Sequence, residues 1–451
     1  MVRYQTILRW YMIIFISYSL TGWLGPINLL LPVQQVMAAA LAAAGGLLLL
    51  LDLLTNRSCF KVPHSRWLLA FIVVLAISII LNINYGWSSN LKTLYWQILQ
   101  AGLFLPLYVI LDDTQRTQGV RILFWVVFIL ITLVNLISVG MFFAQYSAVF
   151  IDAMGKTQRL GFIDGRNFGL YIDPNYGGVV SVCVMLATCW YLLSCRTSRA
   201  TKIILVASLV LNWFFTVSAF SRIGPTCGIA AAVVWLALHL RNQRNRGKKL
   251  DAKRLDAKQG GEQPFGGSTI QARTVDKANH LRKTVLISAV LVAGLVGSYF
   301  ALSAVDTSYA TWAHDNDLFG SASRESIGGS QWYPGPIDHG PENISNNRFS
   351  IWREYLEFSL DYLVFGKSPR NVMVQILEDH PDSFIAKREY GPHSGYVSII
   401  NATGWLGFAT WLVLFGFFIR GLVGYLRRHT QVSVGFILAV TLLLVLLMKS
   451  G

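Results

Sequence analysis

Three places in this chain hold residue types that suit an anion site beside a proton acceptor. Arg348 falls in the first turn of a predicted helix, Arg222 in an outer turn of almost no length, and His393 directly before Ser394, which can cap a helix. A guanidinium beside a helix N-terminus directs a planar fork of donors and unpaired backbone N–H groups at one spot, an arrangement that suits phosphate oxygens. Asn346 or Asn347 can cap the Arg348 helix, and a cation in its first turn opposes the helix dipole, which costs stability unless an anion arrives. An ordinary surface ion pair explains Arg348 equally well on spacing alone. At His393, a helix N-terminus favours the neutral imidazole, the form able to accept a proton. A lone histidine is more often interfacial than catalytic, and His380 and His339 lack a comparable setting.

The elements that must position these groups follow from periodicity. From Asn346 onward, Phe349, Trp352, Leu356, Leu360 and Leu363 recur at steps of three and four, opposite Arg353, Glu354, Glu357 and Asp361, so a surface-lying amphipathic helix is predicted. The segment from Ser147 to Asp173 reads as an outer loop enriched in Lys156, Arg159 and Arg166, with Gly161, Gly165 and Gly169 leaving it flexible enough to wrap an anion. Asp173-Pro174-Asn175 then opens a helix, and capping alone accounts for the triplet. Arg222 sits in the turn SAF-Ser221-Arg222-Ile-Gly-Pro. An arginine held at the membrane boundary asks for a partner, either inside the bundle or among lipid phosphates.

Composition sets the frame for these elements. Of 451 residues, 54% are apolar and 14% charged, a balance that soluble domains of this length seldom have. Apolar runs near Ile7–Gly22, Ile27–Leu54, Trp67–Ile83, Leu94–Leu111, Ile122–Gln145, Tyr176–Leu193, Ile203–Phe220, Ile223–Leu240, Val285–Ala304, Tyr396–Ile419 and Val432–Met448 predict an all-α polytopic membrane protein. The expected count is about eleven spans, within a range of about 10 to 12. With the N-terminus in the cytosol, roughly two-thirds of the 38 Lys and Arg fall on the inner side, as the positive-inside rule requires. The first run reads as a retained anchor.

In domain terms, residues 1–145 form a five-helix membrane segment, and 146–240 an outer loop plus three helices. Residues 241–283 are a basic cytosolic loop, disordered or lying on anionic lipid, and 284–304 the ninth helix. Residues 305–395 are a large extracytoplasmic loop with amphipathic helices, and 396–451 the last membrane helices. Polar residues within the spans, such as Gln97 and Asn135, read as glue between helices. The net charge of +15 belongs to the cytoplasmic leaflet rather than to a nucleic acid. No Cys/His spacing suggests a zinc site.

The ordered set Arg159-Leu-Gly-Phe, Asp173-Pro174-Asn175, Ser221-Arg222, Arg348-x-x-x-Trp352, Phe365-Gly366-Lys367, His393 and Gly404-x-x-Gly407 resembles the O-antigen ligase and polymerase superfamily over about residues 155–415. One departure is Ser394, where that family more often has Asn. The resemblance implies a membrane glycosyltransferase working at the outer face of the cytoplasmic membrane. Its donor is an undecaprenyl-diphosphate-linked oligosaccharide, and its acceptor a hydroxyl of the growing glycan, a lipid core or a protein. By the same resemblance, Arg222 and Arg348 bind the diphosphate and stabilise the departing phosphate, while His393 deprotonates or orients the attacking hydroxyl. Arg159 and Arg166 assist in substrate binding, and Trp352, Tyr355 and Trp332 stack on sugars. The expectation includes inversion at the anomeric carbon and neither cofactor nor metal. A slight preference goes to polymerisation over ligation, and a transporter is the competing class.

Overall fold

The computed structural model describes residues 2–28, 30–151, 157–163, 165–221, 223–259, 290, 293–313, 315–316, 348–429 and 432–450. The first half runs through α1 (Val2–Thr21), α2 (Leu31–Thr55), α3 (Ser65–Leu81), α4 (Trp87–Leu99) and α5 (Asp113–Phe143). A small sheet follows, β1 (Ser147–Ile151), β2 (Thr157–Ile163) and β3 (Arg166–Gly169). Then come α6 (Pro174–Ser194), α7 (Arg199–Ser218), α8 (Ile223–Gln259) and α9 (293–313). The site-bearing part comprises α10 (Arg348–Ser359), α11 (Val372–Asp379), α12 (Phe384–Arg388), α13 (Gly395–Arg428) and α14 (Val434–Ser450).

Among the described residues, six helices are long and apolar enough to cross a membrane: Pro32–Thr55, Asp113–Phe143, Pro174–Ser194, Arg199–Ser218, Ile223–Asn242 and Gly395–Arg428. Ser65–Leu81 and Val434–Met448 are shorter apolar helices. The chain is therefore a helical, multi-pass membrane protein. The run expected at Leu94–Leu111 is helical but uneven, because a π-turn over Gln100–Phe104 precedes Leu105–Ile110. Pro106 has no N–H to return to the preceding turn, and a widened turn absorbs that loss.

Three expectations need correction. The segment after Leu240 does not open into a loop, since α8 continues to Gln259; residues 260–283 lie outside the described set. Helix α9 runs on to residue 313, past the expected end at Ala304. The stretch from Ser147 is an antiparallel sheet in the order β1-β2-β3, so the fold is not purely α. Its glycines serve close approach instead of looseness. At Gly161 (φ +80°) a Cβ would lie 1.9 Å from the Tyr146 carbonyl oxygen, and at Gly169 (φ +56°) it would lie 2.2 Å from Ser138 Cβ. The sheet is pinned on α5 and α7: Leu170 N donates to Ser138 Oγ at 3.0 Å, Tyr171 Oη to Asn135 Oδ1 at 2.8 Å, and Asn167 Nδ2 to Ser218 Oγ at 3.1 Å. Asn135 also donates to Ser181 Oγ and Asn212 Oδ1, the inter-helical role expected of it.

The second organising feature is a break in α13. Gly404 has φ +66° and ψ −175°, so the helix ladder is interrupted there. The interrupted groups are paired by the turn after α10: Trp405 N donates to Leu363 O at 2.9 Å, Leu406 N to Val364 O at 3.3 Å, and Lys367 N to Asn401 O at 2.7 Å. An irregular backbone inside an apolar bundle persists only when its N–H and C=O groups find such partners. The same turn is held from α3 and α4. Ser78 Oγ donates to Ala402 O at 2.6 Å and accepts from Ser368 N at 3.0 Å, while Asn82 Nδ2 reaches Gly366 O at 3.1 Å. Asn90 Oδ1 accepts from Arg370 N at 2.9 Å.

Lys367 is buried beneath this turn. Its Nζ donates to Asp379 Oδ2 at 2.7 Å and lies 3.2 Å from the Tyr362 ring centroid, while Tyr362 Oη donates to the same carboxylate oxygen at 2.8 Å. The hydrogen bond from Lys367, and after it that from Tyr362, holds the Asp379 carboxyl below its ordinary value. A carboxylate with a depressed folded pKa stabilises the fold above its unfolded value of about 3.9, and that contribution fades as the pH falls through the lower folded value. The melting temperature of the wild type in detergent should therefore drop on acidification below about pH 4, and Asp379→Asn should flatten that limb of the profile. Superimposable acid limbs would contradict the assignment.

Candidate active site

The turn of α13 and the cap of α6 meet α10 at one end of the bundle. Helix α10 is described from Arg348 onward; Asn346 and Asn347, the expected caps, lie outside the described residues. The face of α10 that packs on the protein is Ile351, Tyr355 and Phe358, whereas Phe349, Leu360 and Leu363 are exposed. Phe349, Leu360 and Leu363 of the periodic stripe therefore face away from the protein, as a helix lying on a surface allows. Both stripes are apolar and lie on opposite sides of the helix. The sequence pattern detected one of them, and tertiary packing uses the other.

The acidic side of α10 also does structural work. Glu354 accepts from Phe384 N at 3.3 Å and Ile385 N at 2.9 Å, and so caps α12 together with Ser383, whose Oγ accepts from Ala386 N at 3.1 Å. Arg353 pairs with Glu357 at 2.8 Å on the surface. Helix α12 ends at Glu389 in a left-handed conformation, and four residues later His393 is left-handed as well (φ +46°). That sharp backbone turn delivers the chain into Ser394, which caps α13 by accepting from Val397 N. His393 is exposed, with Tyr390 edge-on at 6.3 Å between ring centroids.

Arg348 and His393 line one cleft of roughly 520 Å³. Around them stand Tyr390, Pro392 and Ser394 from the α13 approach, Ser398 from α13 itself, Ile351 from α10, Asp173, Asn175 and Tyr176 from the start of α6, and Ile223 from the start of α8. Two of the three expected catalytic residues thus share a cavity. The third, Arg222, lies outside the described residues; its neighbours Ser221 and Ile223 are at the site, the first donating to Asn175 Oδ1 at 2.6 Å and the second lining the cleft.

The remaining expected residues divide. Arg159 and Arg166 both lie over the Phe168 ring, at 5.9 and 6.0 Å from guanidinium carbon to centroid. Neither lines the cleft, but Arg166 reaches it indirectly, donating from Nη2 to Asn175 Oδ1 at 3.3 Å. Burial lowers the Arg166 pKa from its ordinary value, with Asp173 opposing that and Arg159 adding to it. Lys156 and Trp332 lie outside the described residues. Trp352 packs half-buried against the core beneath α10 and is not among the cleft residues.

Tyr355 is a correction. It is 1% exposed, so no sugar can stack on it, and its hydroxyl donates to Tyr390 O at 2.8 Å. Its position makes it a brace for the segment that leads to His393. Tyr355→Phe should lower stability by about 1 kcal/mol, the worth of one such hydrogen bond, and leave the acceptor KM unchanged. Thermal melts alongside acceptor titrations check this, and a raised KM at unchanged stability would restore a binding role.

Sequence reasoning missed Asp173, Asn175, Tyr176 and Tyr390 as cleft residues. The Asp-Pro-Asn triplet was the available signal, and its cap explanation holds, since Asp173 Oδ1 accepts from Asn175 N at 2.8 Å. Capping accounts for the aspartate and the proline but leaves the Asn175 side chain unexplained. Among the described residues no group of three His, Cys, Asp or Glu side chains gathers in a way that would hold a metal ion.

Residues 207–412 match the family model described as O-Antigen ligase (Wzy_C). No curated protein and no solved structure matches the chain.

Proposed function

We propose, from the premise that residues 207–412 place the chain in the O-antigen ligase/polymerase superfamily, that it transfers a glycan from a polyprenyl diphosphate carrier to an acceptor hydroxyl at the outer face of the cytoplasmic membrane. The observation that carries this reading is the meeting of Arg348 and His393 in one cleft built from helix ends. A carrier lipid keeps its tail in hydrocarbon and its diphosphate at the headgroup plane. An arginine at a helix start is a suitable ligand for such a group.

In this mechanism Arg348, with Arg222, holds the diphosphate and stabilises the charge that grows on it as the bond to the anomeric carbon breaks. His393 takes the proton of the acceptor hydroxyl, whose oxygen forms the new bond to that carbon from the opposite side. The glycan passes to the acceptor, the polyprenyl diphosphate leaves as an anion, and the configuration inverts. The acceptor is a hydroxyl of the growing repeat unit or of another surface molecule. The placing of Arg348, His393, Asp173 and Asn175 together in one cleft favours an enzyme over a transporter.

The test is direct. The purified protein receives an undecaprenyl-diphosphate-linked oligosaccharide with and without a separate acceptor, and products are sized on a gel. A ladder indicates polymerisation, a single shifted acceptor band indicates ligation, and an unchanged donor in every condition defeats the proposal.

A further inference from the structure

The Asn175 side chain receives two donors on one oxygen. Ser221 Oγ approaches Oδ1 at 2.6 Å and Arg166 Nη2 at 3.3 Å. A guanidinium carries donors only, so the Asn175 atom facing it has to be the carbonyl oxygen, which turns the amide nitrogen to the other side. Among the described residues that nitrogen has no acceptor, and Asn175 lines the cleft shared by Arg348 and His393. The backbone of Asn175 is fixed too, by its hydrogen bond to Asp173 Oδ1. Among the described residues the buried Arg166 Nε has no hydrogen-bond partner, an expensive way to place a cation unless its fork serves to hold something in register. An amide whose oxygen is held by Ser221 and Arg166 and whose residue lines the cleft is preorganised, which is how hydrogen-bond donors become effective in binding and catalysis.

We propose that Asn175 is a ligand for a non-bridging phosphate oxygen of the lipid carrier, and that Arg166 and Ser221 are positioning residues which lock its amide in the donating orientation. This rests on the reading of the cleft as a polyprenyl diphosphate site. The choice of phosphate over a sugar oxygen follows from location. Asn175 lies in the first turn of the 21-residue helix α6, where the backbone favours negative charge, and Arg348 faces the same space. The inference also gives Arg166 a role that does not require it to touch the substrate.

The discriminating variant is Asn175→Asp. It keeps the size of the side chain and an oxygen for Ser221 and Arg166, and it replaces the cleft-facing donor with a carboxylate oxygen. With the full chain in nanodiscs and undecaprenyl diphosphate as the probe, its affinity should fall at least about tenfold, the scale of one hydrogen bond to a charged group. The acceptor KM and the melting temperature should stay at wild-type values. Ser221→Ala, which removes one of the two locks, should weaken carrier binding by a smaller factor, about threefold, and guards against misfolding of the first variant. Wild-type carrier affinity in both variants overturns the proposal while leaving the function intact. A loss confined to acceptor KM overturns it by assigning Asn175 to a sugar oxygen. A wild-type protein that neither binds the carrier nor transfers glycan defeats the underlying functional reading instead, whatever the variants do.

Discussion

His393→Ala and Arg348→Ala should each eliminate measurable glycan transfer from protein that still inserts and melts normally. Loss of a positioned general base costs about 10²- to 10⁴-fold, and loss of one donor to developing charge on the order of 10²- to 10³-fold. The two should separate in a second measurement. Arg348→Ala weakens binding of the carrier, because the guanidinium acts on the ground state as well, whereas His393→Ala lowers the rate and leaves carrier affinity unchanged. Arg348→Lys retains charge but not the planar fork and should recover only part of the loss. His393 is exposed, and a melting curve on each variant separates loss of chemistry from loss of fold. Full activity in either alanine variant removes that residue from the mechanism.

The largest effect on folding is expected at Gly404. A Cβ there would lie 2.2 Å from Val364 O, 2.4 Å from Val364 C and 2.6 Å from Phe365 N, all backbone atoms. The left-handed conformation alone costs a non-glycine residue on the order of 1–3 kcal/mol, and backbone held by the Leu363, Val364 and Asn401 hydrogen bonds cannot retreat to relieve the overlap. Gly404→Ala should therefore yield little monodisperse protein and a strongly lowered melting temperature. By contrast Gly416→Ala, at a position with nothing within 4 Å, should behave as wild type. Equal melting of the two variants would show that the break in α13 is not a fixed feature of the fold.

Helical spans were legible because a bilayer demands long uninterrupted apolar runs, and such runs are visible in any sequence. The cap at Ser394 was legible for a similar reason, since it is a local event. What escaped notice depended on partners distant in the chain. Gly161 and Gly169 looked like hinges until Tyr146 and Ser138 were seen to occupy the space a side chain would need. Tyr355 and Phe349 both read as aromatic on a helical wheel, and only the packing of α10 against α12 and α13 decides which of them is buried. Asn175 was spent on capping because its second role requires Arg166 and Ser221, brought together by a sheet that no periodicity announced.

Glu354 ties the two halves of the cleft into one mechanical unit. It rides on the helix that presents Arg348, yet its carboxylate grips the backbone of Phe384 and Ile385, a few residues upstream of His393. With the Tyr355 hydroxyl, which donates to Tyr390 O, it gives the segment before His393 two attachments to that helix, so the spacing between the guanidinium and the imidazole is built into the folded chain.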